Sequence, residues 1–336
     1  MENKHTDKKV ISVIGGGSWA TAIIKILSEQ EHVAIHWWLR NEKDVAHILK
    51  FGHNPSYASD IAINLQKVFP SSDILKATQA SDIIILAVPS AFIKSIIDQF
   101  DLSVSEKIVV SAVKGMIPDE NLLISEYINR RFSVKEESLC AIGGPCHSEE
   151  VALEKQSYLS IAAKSPEVGK LVAGLFSCRF VKATVVEDLY GVEYSAIMKN
   201  IIAIACGVAR GLNYGDNFQA VLVSNSMKEV EQFLDTLCPQ QRNLYASAYL
   251  GDLLVTSYSQ FSRNRTLGNM IGRGYSLKTA MIEMKMIAEG FFGVKSIHEI
   301  SKDNALDLPV VNAVYNILYE KICPSVEFKK LEKLMR

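Results

Sequence analysis

Apolar positions in the first half of the chain fall into short, β-branched runs separated by amphipathic stretches. Val10 to Ile14 is one such run; three glycines follow it, then a helical pattern from Ser18 to about Glu29. Further strand candidates lie near 33–38 and at 82–88, 107–113 and 138–142, with helical stretches such as FIKSIIDQF between them. Strand and helix alternating in this way predict an α/β, Rossmann-type fold: a doubly wound, mostly parallel sheet covered on both faces. Residues 159–164 and 180–185 read as two more strands that finish the sheet. From Glu187 onward the periodicity turns helical, with no Pro/Ser-rich linker to mark the change. We therefore expect a dinucleotide-binding domain over 1–188 and an all-helical C-terminal domain for substrate and catalysis over 189–336, joined through a continuous helix.

Length agrees with that division, since 336 residues are long for a single core. A net charge of −1 indicates no general attraction to nucleic acid or to acidic membranes, so any charge on a substrate must be met locally. The six cysteines, at 140, 146, 178, 206, 238 and 323, form no CxxC pair and no zinc-like spacing with histidine. Together with a polar opening, MENKHTDKK, that lacks a signal-peptide core, they predict a reduced, cytoplasmic chain with no metal. Lys199 interrupts the longest apolar run, so no membrane span is expected.

Candidate chemistry starts at Gly15-Gly16-Gly17-Ser18-Trp19-Ala20, a G-x-G-x-x-[GA] turn placed between a strand and a helix. Gly15 allows the tight turn, Gly17 lets backbone approach a pyrophosphate at the helix N-terminus, and Ala20 permits close helix–strand packing. The bland alternative is a glycine-rich turn with no ligand; its position favours NAD or NADP. At the end of the second strand Arg40 would tolerate a 2′-phosphate, which tilts the expectation towards NADPH, while Glu42 keeps NAD open. Lys114 and the turn Gly143-Gly144-Pro145-Cys146-His147 stand at two later strand ends, where ligands of parallel sheets gather. A thiol nucleophile at Cys146 with His147 as base is disfavoured, because sequence neighbours in a turn rarely face one another.

In the second half, YSAIMKNIIAIACGVARG sets Lys199 and Asn200 inside an apolar helix. The helical neighbours of Lys199 are Ser195, Ala196, Ile202, Ala203, Cys206 and Gly207, mostly small, whereas a solvated stripe would carry Glu, Gln or Lys. The lysine is therefore expected to be buried and functional. Asp252 interrupts another apolar stretch, where it could also be a helix cap, and Ser262-Arg263-Asn264-Arg265 offers the forked donors that phosphate prefers. Taken alone, that cluster could equally be a surface loop.

Taken together, IGGGSWATA, NPSY, AVPSAF, VKGM, GGPCHSEEV, the MKN helix, YLGDLLVTSYSQFSRNRTLG and AEGF resemble, in order, the bacterial NAD(P)-dependent glycerol-3-phosphate dehydrogenases. The likeness runs over nearly the whole chain. It implies that Ser18 and Trp19 contact the cofactor, with Arg40 and Tyr57 near its adenosine end. Lys114 would touch cofactor and substrate, and Gly144, Cys146 and Ser148 would line one loop. Lys199 would transfer the proton, with Asn200 beside it. Asp252, Ser262, Arg263 and Asn264 would hold the glycerol phosphate, Arg263 reaching the cofactor too. Ile287 and Glu289 would lie near the nicotinamide.

The resemblance further implies interconversion of dihydroxyacetone phosphate and sn-glycerol 3-phosphate, supplying glycerophospholipid synthesis. A β-hydroxyacid or 6-phosphogluconate-type dehydrogenase, or a cofactor-binding sensor without catalysis, are the competing readings. The apolar second half is compatible with a homodimer. Departures from the family pattern fall at Cys146 and Ser148, at Ser224-Asn225-Ser226 and at Phe291-Phe292-Gly293.

Overall fold

The computed structural model describes residues 8–284 and 288–335. Its sheet has eight strands: β1 Lys9–Ile14, β2 Val33–Trp38, β3 Val68–Ser71, β4 Ile83–Leu86, β5 Ile108–Ser111, β6 Leu139–Gly143, β7 Ser157–Ala163 and β8 Val181–Val186. Their order is β3-β2-β1-β4-β5-β6-β7-β8, parallel throughout except for the antiparallel pair β6–β7. Central strands are apolar on both faces: Ile83–Leu86 is buried at every position, as a sheet covered on both sides requires. Strand β3 has no counterpart among the expected elements. It is a four-residue edge strand containing Pro70, so it shows neither alternation nor a long β-branched run.

Between the strands lie α1 Ser18–Ser28, α2 Glu42–Phe51, α3 Ile74–Gln79, α4 Ser90–Ile97, α5 Ile124–Phe132, α6 Ser148–Ala152 and α7 Pro166–Phe176. Local chemistry sets their ends. Asn41, Asp73 and Ser165 cap α2, α3 and α7 by accepting from the backbone N–H of Lys43, Lys76 and Val168. Gly52, at φ +72°, ends α2 in the left-handed conformation. Helix α1 buries Ile23, Ile24, Ile26 and Leu27 in a core shared with Ile11, Val13, Ile35 and Trp37.

The remaining helices are α8 Leu189–Gly211, α9 Asp216–Leu237, α10 Asp252–Tyr258, α11 Arg263–Gly272, α12 Leu277–Met284, α13 Glu289–Asp303, α14 Pro309–Leu318 and α15 Pro324–Leu334. A π-helical turn, Ser247–Gly251, leads into α10. By contact density the chain forms two units, Met1–Val88 with Phe92–Val113 and Ile124–Leu189, and Pro89–Ala91 with Lys114–Leu123 and Tyr190–Arg336. The second unit thus takes in two short segments, one carrying Ser90 and the other Lys114, from within the stretch 1–188.

Helix α8 is the spine of the second unit. Despite Lys199 it is long and apolar enough to cross a membrane by length and composition alone, but its apolar window is wholly buried inside the protein. Burial is this tight because Gly207 and Gly211 of α8 meet Gly268 and Gly272 of α11. A side-chain carbon built at Gly207 would lie 2.1 Å from the carbonyl oxygen of Arg265, and one at Gly268 would lie 2.0 Å from that of Ile204. Backbones at this separation admit only glycine. The same device brings α13 onto α8, where a carbon at Gly290 would come within 2.6 Å of the Asn200 carbonyl oxygen.

Candidate active site

In the first unit the glycine turn is held from behind. Gly15 has φ +135°, and a side-chain carbon there would lie 2.3 Å from the Ala87 carbonyl oxygen. Trp37 donates its indole N–H to the Gly15 carbonyl at 2.7 Å, and Asn54 donates its amide to the Gly16 carbonyl at 3.0 Å and to the Thr21 hydroxyl at 2.9 Å. Gly17 caps α1 without a side chain, and a carbon built on it would meet nothing within 4 Å. An open backbone position at the N-terminus of an 11-residue helix is the cradle that a pyrophosphate fits.

Trp19 packs partly buried against the core. Arg40 is exposed, with its guanidinium 5.8 Å from the Phe92 ring centroid. Tyr57 is also exposed, and its backbone N–H donates to Asn54 Oδ1. Gly144 takes φ +97°, with the Tyr158 carbonyl 3.0 Å from where a side-chain carbon would sit. Ser148 opens α6 and donates to Glu149. Cys146 is buried and belongs to the apolar core cluster of this unit.

The second unit holds the buried lysine. Lys199 and Asp252 are 4% and 2% exposed, and the ammonium is ion-paired with the carboxylate. Burial pushes the amine down to about 8; the Asp252 charge opposes this, and the Lys114 ammonium adds to it. A lysine so placed can lose and regain a proton near neutral pH.

Asn200 donates to the Lys114 carbonyl at 3.3 Å and accepts from Asn264 at 2.9 Å, while Asn264 accepts from the Gly290 N–H at 2.9 Å. This amide chain ties Lys114, α8, α11 and α13 together, so both asparagines hold the site's frame whatever else they contact. Ser262 likewise spends its hydroxyl on capping α11, accepting from the Arg265 N–H. Glu289 accepts from the Ser90 N–H at 3.1 Å and from the Ser90 hydroxyl. Burial raises its carboxyl; the Ser90 donors oppose that first, and the charges of Arg263 and Lys114 add to them. Gly115 fits between these groups, since a carbon there would lie 2.4 Å from Ser90 and 2.9 Å from Glu289.

Lys114, Lys199, Asn200, Asp252, Arg263, Asn264 and Glu289 therefore belong to one unit and interact, directly or through a shared partner. Gly15, Gly17, Ser18, Trp19, Arg40 and Tyr57 belong to the other. Ile287 lies outside the described residues. Among the described residues no group of three or more His, Cys, Asp or Glu could hold a metal. Sequence reasoning did not assign Trp37, Asn54 or Ser90. Asn54 lies in the family segment NPSY and Ser90 in AVPSAF, and both could have been found there, whereas Trp37 carries no local signal.

Two family models match the chain: the N-terminus of NAD-dependent glycerol-3-phosphate dehydrogenase over residues 10–169, and its C-terminus over 188–329. Similar proteins include a glycerol-3-phosphate dehydrogenase [NAD(P)+] of Staphylococcus haemolyticus, 32% identical over 314 residues, covering 92% of this chain and 93% of that protein. One of Staphylococcus epidermidis is 31% identical over 323 residues, covering 96% and 97%. Among solved structures, a glycerol-3-phosphate dehydrogenase of Coxiella burnetii superposes with a TM-score of 0.87 at 24% identity, covering 96% of this chain and 98% of that one, and it supports the fold.

Proposed function

The chain belongs to the NAD-dependent glycerol-3-phosphate dehydrogenase family, and from that premise we propose that it interconverts dihydroxyacetone phosphate and sn-glycerol 3-phosphate, supplying glycerol 3-phosphate to glycerophospholipid synthesis. The observation that carries this reading is the buried Lys199–Asp252 pair, flanked by Lys114. The nicotinamide cofactor, when bound, supplies or takes up the hydride.

The protein's residues do the rest. Lys199, as an ammonium, polarises the ketone and gives a proton to its oxygen as the carbon is reduced; in the reverse direction the neutral amine takes the alcohol's proton. Asp252 keeps the amine charged at neutral pH despite its burial. Arg263 anchors the phosphate and so aligns the reacting carbon. Gly17 and the open N-terminus of α1 receive the pyrophosphate. The exposed Arg40 favours NADPH, since its guanidinium can meet a 2′-phosphate.

A cytoplasmic location, a homodimer and the absence of stable membrane insertion complete the proposal. Sedimentation velocity tests the dimer, and cell fractionation the location. Initial rates with dihydroxyacetone phosphate and each reduced nicotinamide, set against small β-hydroxyacids with the oxidised ones, test the activity. Turnover of the hydroxyacids without turnover of the phosphorylated ketone overturns it.

A further inference from the structure

Glu289 opens α13 in the cation-rich part of the site, yet its hydrogen bonds go to an uncharged residue. The carboxylate accepts from the Ser90 N–H at 3.1 Å and from the Ser90 hydroxyl, and Gly115 packs against both residues. The carboxyl is well surrounded, while the residue as a whole keeps some exposure to solvent. The charged groups that act on it are Arg263 of α11 and Lys114 of the segment after β5; beyond Lys114 stand Lys199 of α8 and Asp252 of α10.

Three cations against two carboxylates leave one positive charge in excess. A phosphate monoester brings close to two negative charges at neutral pH, which overshoots by one. That excess falls on the carboxylates, because a like charge at close range, or the loss of an opposite one, raises a carboxyl by roughly one to three pH units. Asp252 keeps its ion-pair partner, Lys199, whereas Glu289 is kept ionised in part by Arg263, the cation that phosphate engages, and by Lys114. Burial already raises the Glu289 carboxyl, so it is the group that yields. Its contact with Ser90 survives the change: a protonated carboxyl donates to the same hydroxyl while its other oxygen goes on accepting from the N–H.

We propose that Glu289 takes one proton from solvent when a phosphate dianion binds at Arg263, so that this cluster carries no net charge once substrate is in place. This rests on the phosphate role given to Arg263 above. The carboxylate and the solvent proton become a carboxylic acid, and the phosphate keeps both its charges. The consequence falls on Lys199. An uncompensated negative charge would hold the ammonium proton more tightly, whereas a neutral cluster leaves it free to pass to the ketone oxygen. By reciprocity, phosphate binds more weakly as the pH rises, by up to about tenfold per pH unit.

Infrared difference spectra read the carboxyl directly. Taken with and without sn-glycerol 3-phosphate in the presence of NADPH, a pair that cannot react, they should show a protonated-carboxyl band that appears on binding. Labelling glutamate with 13C at the side-chain carboxyl should shift that band, and Glu289→Gln should abolish it. Calorimetry in buffers of different ionisation enthalpy counts the protons. At about pH 7, where Lys199 is already largely protonated, the native chain should take up about one proton more per glycerol phosphate than Glu289→Gln. Binding without a new band, a band that ignores the glutamate label or persists in Glu289→Gln, or equal proton uptake by the two chains overturns the proposal. Should the variant fail to fold, the label and the buffer series on the native chain still decide. Calorimetry also keeps the two readings apart: glycerol phosphate that gives no binding heat and no spectral change refutes the proposed function and this proposal with it, whereas binding without proton uptake refutes the role of Glu289 alone.

Discussion

Replacing Asp252 by asparagine removes one charge from a buried pair while keeping its shape. The Lys199 amine, held at about 8, is protonated roughly ten to one at pH 7. A carboxylate in contact with an ammonium contributes about 4 kcal/mol at an effective dielectric constant of ~20, or roughly three pH units of protonation. With that attraction gone, burial and Lys114 act unopposed, and the protonated fraction at pH 7 drops to about 1%. Reduction of dihydroxyacetone phosphate, which consumes the ammonium, should fall roughly a hundredfold at pH 7. Its alkaline limb should move from near pH 8 to near pH 5, and the rate should recover towards the native value as the pH is lowered.

The stability penalty stays well below the ~3–5 kcal/mol of an abandoned buried charge, because lysine can shed its proton. Initial rates of NADPH oxidation at saturating substrate, from about pH 5 to about pH 9, give the profile; a thermal melt at each pH guards against unfolding. A loss of equal size at every pH, or a limb still near pH 8, refutes the assignment of Asp252 as the group that keeps Lys199 charged.

Three further outcomes are expected. Lys199→Met should lower turnover by several orders of magnitude while cofactor affinity, read by fluorescence titration, survives; near-native turnover would remove Lys199 from the chemistry. Arg263→Ala should raise KM for the phosphorylated ketone far more than the Kd for the cofactor, and equal effects on both would count against a phosphate anchor. Gly268→Ala should destabilise the fold by roughly 2–3 kcal/mol or more, because its new carbon meets the Ile204 carbonyl oxygen at 2.0 Å and backbone must give way. A melting temperature unchanged in that variant would mean that α8 and α11 can part without cost.

The composition of the sheet and the existence of the helical half were legible because both rest on period. Ile83–Leu86 reads as a doubly covered strand whatever lies around it, and the face of Lys199, lined by Ser195, Ala196, Ala203, Cys206 and Gly207, reads as one meant for close approach. Strand β3 was not legible, since four residues with a proline pair at an edge only because β2 is there to receive them. The paired glycines of α8 and α11 stand four residues apart in both helices, yet spacing alone does not say which helix meets which.

By itself, then, the sequence determined the order and type of most elements, the glycine turn, and the presence of a lysine too well surrounded to be a surface charge. Only the tertiary structure decided that its partner is Asp252, that Asn200 and Asn264 brace Lys114 and Gly290, that Glu289 is tied to Ser90, and that Cys146 is core. The reason is physical. Periodicity and turn chemistry act between neighbours along the chain, whereas a buried charge or amide takes whatever partner the packing of distant backbones brings within reach, and in the helical unit that packing is set by glycines whose effect is felt only across the interface they close.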